Sequence, residues 1–324
     1  MHTLETIHQQ ISLAIEKLDI PGKPANLYEP VSYTLSLGGK RLRPALVMTA
    51  CDMFGGSLDE AVHPAVGIEL FHNFTLLHDD IMDQAPLRRG KETVYKKWNS
   101  NIAILSGDTM FAMANREILK TSLSAVREIG DLFNLTAIQV CEGQQYDMDF
   151  ESRDDVTLPE YLEMIRLKTA VLLACSLKTG AIIAGASPGD CQLIYDAGIS
   201  LGMAFQLKDD FLDTYGDEKV FGKTPGGDIL EGKKTFLFLK LIEKAGTEAK
   251  TFNRLYSPAS ALAAAEKIRF FTIKFGEWGI SEDVEREIDS FYKSALLSID
   301  ALSVDSVRKS VLLELIRKLS LRQK

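Results

Sequence analysis

Apolar residues recur at three- and four-residue spacing along almost the whole chain. Clear cases are LPEYLEMIRLKTAVLLACSL from Leu158 and DSVRKSVLLELIRKL from Asp305. That period belongs to a helix burying one stripe of side chains. No stretch alternates apolar and polar residues in the way a half-buried strand requires, and no asparagine–glycine pair marks a hairpin. The pattern predicts helices over residues 3–17, 26–36, 41–54, 64–84, 100–124, 126–148, 158–184, 190–214, 234–245, 258–275, 281–300 and 304–321. Glycine, proline and charge punctuate them in SLGGKRLRP, DQAPLRRGKE, GASPGD and DEKVFGKTPGGDILEGKK. No low-complexity linker divides the chain, so the expectation is one helical domain over residues 1–324.

Composition narrows the function class. A formal net charge of -8 over 324 residues argues against a nucleic-acid surface. Cys51, Cys141, Cys175 and Cys191 are scattered and form no CxxC pair, so they read as small hydrophobes in a reducing compartment. The first residues show helical periodicity with an early Glu5 rather than a basic start and an apolar core. Lys178 and Asp190 bound the best apolar run, which falls short of the roughly 20 residues of a membrane span. A soluble cytoplasmic protein is expected, not an integral membrane one.

Within this frame, LLHDDIMDQAPLRRG from Leu76 places Asp79, Asp80 and Asp83 within five positions, with Arg88 and Arg89 just beyond. QLKDDFLDTYGD from Gln206 repeats the pattern with Asp209, Asp210 and Asp213. Asp79 and Asp83 are an i, i+4 pair on one helix face, a spacing at which like charges destabilise an isolated helix. One such motif reads equally well as a solvated acidic helix end. Two, each closing a long apolar helix, favour carboxylate clusters for Mg²⁺, which takes one or two carboxylates together with water and substrate phosphates.

The cations nearby indicate the charge of the ligand. Lys40, Arg41 and Arg43 follow a double glycine, Arg88 and Arg89 follow the first cluster, and Lys223, Lys233 and Lys234 follow the second. Arginine forks and lysine point charges suit phosphate oxygens, and glycines let backbone N–H groups approach them. A diphosphate bridged by Mg²⁺ fits both signs of charge. No phosphate-loop or dinucleotide fingerprint is present, so a nucleotide is not indicated. Glu60 with His63, and Glu69 with His72, each make a Glu-x-x-His pair as in di-iron bundles. Both lie on one segment, whereas such sites draw the pair from two facing helices.

The run GGKRLRP, HDDIMD, RRG, KTA, FQLKDDFLD and GKTPGGDILEGKKT, in that order, resembles the trans-isoprenyl diphosphate synthases, or polyprenyl synthetases, over about residues 38 to 235. The resemblance implies an all-α bundle of antiparallel helices around a deep central cavity, usually homodimeric. It also implies head-to-tail condensation of isopentenyl diphosphate with an allylic diphosphate. By position, Asp79 and Asp83 match ligands of two Mg²⁺ ions, and Asp209 with Asp213 match a third. Lys40, Arg43, His72 and Arg89 match the isopentenyl diphosphate site; Arg88, Lys168 and Lys223 match the allylic site, with Lys233 a further contact. Thr169 and Gln206 match polar positions beside the reacting carbons. From the residues alone, His72 reads as a satisfied core histidine, Thr169 as a helix back-bonder and Gln206 as an interface polar group.

Five positions before Asp79, about 7.5 Å along the helix, stands Phe74, followed by Thr75. In the family a bulky side chain there forms a floor that limits product length. The first motif also lacks the two-residue insertion common in bacterial farnesyl diphosphate synthases. The resemblance is thus greatest to geranylgeranyl diphosphate synthases, a twenty-carbon product ahead of a fifteen-carbon one. Two rival readings are a class I terpene cyclase, which has no use for Lys40 and Arg43, and a silent subunit modulating a partner synthase, against which both intact motifs speak.

Overall fold

The computed structural model describes residues 1–216 and 225–320. Its helices are α1 Leu4–Glu16, α2 Ala25–Ser36, α3 Leu42–Met53, α4 Leu58–Met82, α5 Val94–Lys97, α6 Ser100–Ile118, α7 Val126–Glu151, α8 Leu158–Ile165 and α9 Val171–Ile183. They continue as α10 Pro188–Tyr215, α11 Gly227–Glu231, α12 Phe236–Ala245, α13 Ala249–Tyr256, α14 Ala264–Glu277, α15 Ile280–Asp300 and α16 Ser306–Ser320. A π-helical turn, Arg166–Ala170, joins α8 to α9. The one sheet among the described residues pairs β1 Leu87–Arg88 with β2 Lys91–Glu92. The fold class is all-α, as the periodicity predicts. No described helix is long and apolar enough to cross a membrane.

Residues group into two compact units. The first comprises Met1–Asn134, Cys175–Gln192 and Ser303–Leu313. In it, α3 is buried on every side from Pro44 to Met53, the mark of a central helix, and packs against α1 and α4. The most extensive pairing is α4 with α6, where Phe71, Phe74, Phe111 and Phe133 form an aromatic cluster. Here α4 starts six residues before the expected boundary at Pro64. Asp59 and Glu60 suit the positive end of the helix, and Pro64 forgoes one backbone bond inside it.

The second unit comprises Leu135–Ala174, Leu193–Leu302 and the chain from Glu314. Its core is aromatic: Phe238 stacks on Tyr256 with centroids 3.8 Å apart, and Phe271 meets Tyr256 edge-on at 4.8 Å. Besides the short helices α11 and α13, which the pattern does not predict, two details depart from the expected elements. The helix expected at 258 begins at Ala264, because Ser257, Pro258 and Ser260 form a turn, and the preceding α13 buries only Phe252 and Tyr256. The expected helix over 158–184 is interrupted by the π turn, beside which α7 presents Gly143. A Cβ there would stand 2.3 Å from the Lys168 backbone nitrogen.

Candidate active site

The last turn of α4 carries Asp79 and Asp80, and Asp83 is its C-terminal cap. Arg88, on β1, supplies the compensation the like charges require. Its Nε donates to Asp80 Oδ1 at 2.6 Å and its Nη2 to Asp79 Oδ2 at 3.2 Å. Asp80 is buried, and burial pushes its carboxyl up to about 6 against the attraction of Arg88, with repulsion from Asp79 and Asp83 adding to the rise. Asp83 is exposed.

Basic groups of the GGKRLRP and RRG loops sit beside this cluster in the same unit. Arg43 Nη1 lies 3.1 Å from His72 Nε2. Guanidinium only donates, so the imidazole accepts and is neutral. Its pKa is held well below 6.5 by burial first, then by Arg43, Arg89, Arg88 and Arg41. Arg89, with φ +54°, donates to the Gly38 carbonyl. Gly39, with φ +134°, makes room for it, since a Cβ there would lie within 2.6 Å of the guanidinium. Lys40 is exposed. Arg41, grouped with these cations by sequence, turns inward: Nη1 pairs with Glu69 Oε1 at 2.5 Å, and Nη2 donates to the Leu35 carbonyl. Glu69 also accepts from Asn73 Nδ2 at 3.1 Å, so it serves an internal ion pair. His63 pairs with Glu117. These pairings remove the di-iron reading.

In the second unit a cavity of about 240 Å³ is lined by Lys168, Thr169, Gln206, Asp209, Asp213 and Lys233, with Asp147, Tyr161, Asp210 and Asp228. Lys168 Nζ meets Asp147 Oδ2 at 2.6 Å. Asp213 organises the following loop: its Oδ2 accepts the Asp228 backbone N–H at 2.9 Å and its carbonyl accepts from Gly226. Asp210 accepts from the Tyr161 hydroxyl and, at 2.9 Å, from Gln206 Nε2. Burial, with repulsion from Asp209 and Asp213, pushes its carboxyl up to about 7 against those two hydrogen bonds. Asp228 is held far above the usual carboxylate range by burial, then by Asp213 and Asp210. Lys233 Nζ is 3.1 Å from Glu231 and 3.9 Å from Asp228. Lys223 lies outside the described residues.

Could these groups hold Mg²⁺? All the donors are hard carboxylate oxygens, and Asp209, Asp210, Asp213 and Asp228 line one cavity, so a divalent cation fits. Among the described residues no three such groups converge into a cage by themselves. That suits an ion completed by water and substrate phosphate.

Phe74 stacks on Phe111 with centroids 5.3 Å apart and an interplanar angle of 17°, and meets His78 at 4.7 Å. Viewed down α4 it stands about 140° from Asp79, whereas Thr75 stands about 40° away. Rise along the axis, on which the expected floor rests, does not by itself place both on one face. Thr75 Oγ1 donates to the His72 carbonyl at 2.8 Å. A larger cavity, about 420 Å³, lies among α1, the start of α4 and the end of α6 and contains none of the aspartate-cluster or basic-loop residues.

Sequence reasoning missed Asn73, Tyr161 and Asp228, and read Glu69 only as half of a Glu-x-x-His pair. Only Asp228 carried a signal, an acid directly after the double glycine in a loop already singled out for its lysines.

A helical fold has two aspartate-rich helix ends, with arginine, lysine and histidine grouped near them. The match to the polyprenyl synthetase model spans residues 24–270. A geranylgeranyl diphosphate synthase of Methanosarcina mazei is 38% identical, with 94% of this chain and 92% of that one aligned. A geranylfarnesyl diphosphate synthase of Natronomonas pharaonis is 37% identical over 72% of this chain and 73% of its own. A crystal structure of a geranylgeranyl pyrophosphate synthase superposes with a TM-score of 0.94 at 45% identity, covering 100% of both chains. The chain belongs to the polyprenyl synthetase family.

Proposed function

We propose that the protein is a short-chain trans-prenyltransferase that joins isopentenyl diphosphate to allylic diphosphates and releases geranylgeranyl diphosphate. The observation that carries this reading is the pair of aspartate clusters with separate cationic partners: Arg88 across Asp79 and Asp80, Lys168 and Lys233 lining the cavity of Asp209 and Asp213. Residues 1–324 act as one synthetase domain, in the cytoplasm, as a homodimer.

In this reading Asp79, Asp83, Asp209 and Asp213 hold about three Mg²⁺ ions. When bound, the metal supplies Lewis-acid stabilisation of the diphosphate leaving group. Arg88, Lys168, Lys223 and Lys233 grip the allylic diphosphate, so that charge developing on it as the carbon–oxygen bond breaks is met by groups already in place. Lys40, Arg43, His72 and Arg89 hold isopentenyl diphosphate with its alkene toward the allylic carbon. Neutral His72 serves here as a hydrogen-bond partner of Arg43 and of substrate. Thr169 and Gln206 line the reacting carbons. The alkene attacks, the new carbon–carbon bond forms, and the proton lost from the condensed chain passes to the released diphosphate. Phe74 and Thr75 limit the tail.

Asp79→Ala and Asp209→Ala are each expected to lower turnover by about a hundredfold or more, the cost of losing one preorganised charge stabiliser, with helical circular dichroism retained. Chromatography of dephosphorylated products gives the chain length. Full activity in EDTA or in either variant overturns the assignment.

A further inference from the structure

Gln206 and Thr169 do not stand alone in their cavity; they end a hydrogen-bonded chain that begins in the core. The Tyr161 hydroxyl donates to Asp210 Oδ2, Gln206 Nε2 donates to Asp210 Oδ1 at 2.9 Å, and Thr169 Oγ1 donates to Gln206 Oε1 at 3.0 Å. Tyr161 and Asp210 are both buried, and Tyr161 packs among the aromatic core residues of its unit. Each link has a direction. In its ionised form Asp210 only accepts, so both neighbours present donors to it. Gln206 therefore turns its NH₂ inward and its carbonyl oxygen outward to Thr169. That uses the single hydroxyl proton of Thr169 and leaves its lone pairs for the cavity.

We propose that Tyr161 is a positioning residue: by fixing Asp210 it fixes where the Gln206 amide, and hence the outward oxygens of Gln206 and Thr169, stand toward the reacting carbons. The proposal rests on the reading that Gln206 and Thr169 line those carbons. Acceptor oxygens there suit a centre that becomes electron-deficient as the diphosphate leaves; an NH₂ there does not. Without the tyrosine hydroxyl, Asp210 is free to turn, and the amide beyond it loses its fixed place.

Directionality gives a test that a merely structural role would not pass. Gln206→Ala comes first: if it leaves kcat unchanged, the reading of Gln206 fails and the proposal with it. With Gln206 shown to matter, Tyr161→Phe, which keeps the ring, is expected to lower kcat about tenfold. Both KM values and the apparent Mg²⁺ affinity should stay within about twofold. Asp210→Asn should be worse. Held by Tyr161 at its oxygen, the new amide points its NH₂ at Gln206, which must reverse and turn its own NH₂ toward Thr169. Adding Tyr161→Phe frees that amide to rotate, so the double variant is expected to recover kcat at least about threefold over Asp210→Asn alone. A crystal structure of Tyr161→Phe should show the 3.0 Å contact between Thr169 and Gln206 lost. Equal or lower kcat in the double variant overturns the proposal, as does a Tyr161→Phe enzyme altered only in Mg²⁺ affinity.

Discussion

At the scale of single residues, the site is governed by charges that burial makes costly and neighbours make tolerable. His72 is the sharpest case. Its imidazole accepts from Arg43 and is surrounded by arginines, so its pKa lies well below 6.5. A histidine whose folded pKa is depressed binds fewer protons folded than unfolded, so folding stability is lost as pH falls below about 6.5. The expected slope is at most about 1.4 kcal/mol per pH unit. His72→Asn, which can still accept from Arg43, should remove that part of the acid-side loss, as measured by denaturant unfolding from pH 5 to 7. Nitrogen-15 spectra should show the wild-type ring in one neutral form at pH 6. A ring half-protonated there would refute the assignment. The need for some cation beside Asp79 and Asp80 was legible in the sequence, because like charges at helical spacing demand one. That Arg88 fills the role while Arg41 turns inward to Glu69 was not. Each stands beside other cations in its loop, and only tertiary packing separates them.

Among the elements, α4 does most to organise the first half of the site. It displays His72, Thr75 and Asp79 along one face, Glu69, Asn73 and Asp80 along a second, and Phe71 and Phe74 toward α6. The sequence made the helix and its aspartates readable through an apolar run closing in DDIMD. It hid the direction of Phe74, because linear spacing gives rise and not azimuth. Braced by Phe111, the Phe74 ring is held rigidly enough to act as a stop. Phe74→Ala should cost about 3 kcal/mol of stability, as for a truncated aromatic in a partly buried cluster. It should also open space lined by Phe71, Phe111 and Phe133. Burial of a longer tail, at about 25 cal/mol per Å², then favours another condensation. Products are expected to lengthen by one or more five-carbon units at nearly unchanged first-condensation rate. A folded, active variant with the wild-type distribution would shift the floor to the face of Thr75. The π turn at Arg166–Ala170 left no trace in periodicity, since Leu167 and every residue from Thr169 to Leu177 are buried and a helix apolar all round has no phase to shift.

For the molecule as a whole, what remains is a group of exposed apolar side chains on one side of α6. On α6, Ile104, Leu105 and Leu119 are 44%, 58% and 68% exposed. With a rotation of about 100° per residue they fall within one arc of about 100°, on the side of the helix away from buried Met110 and Ala114. Exposed Asn101 and Asp108 share that arc, which makes a mixed surface like those through which two folded chains meet. A second copy of the chain is the occupant consistent with the proposed homodimer, since a two-fold axis lets one stripe pack against itself. Periodicity could not reveal this, because a stripe buried by the chain and a stripe buried by its twin look alike in sequence. Sedimentation of the wild type at micromolar concentration is expected at twice the chain mass. Replacing both Leu105 and Leu119 by Glu puts like charges face to face across the axis, which should shift the protein to the single-chain mass with helical circular dichroism intact. A wild type that sediments as a single chain, or a double variant that remains a dimer, would place the interface elsewhere.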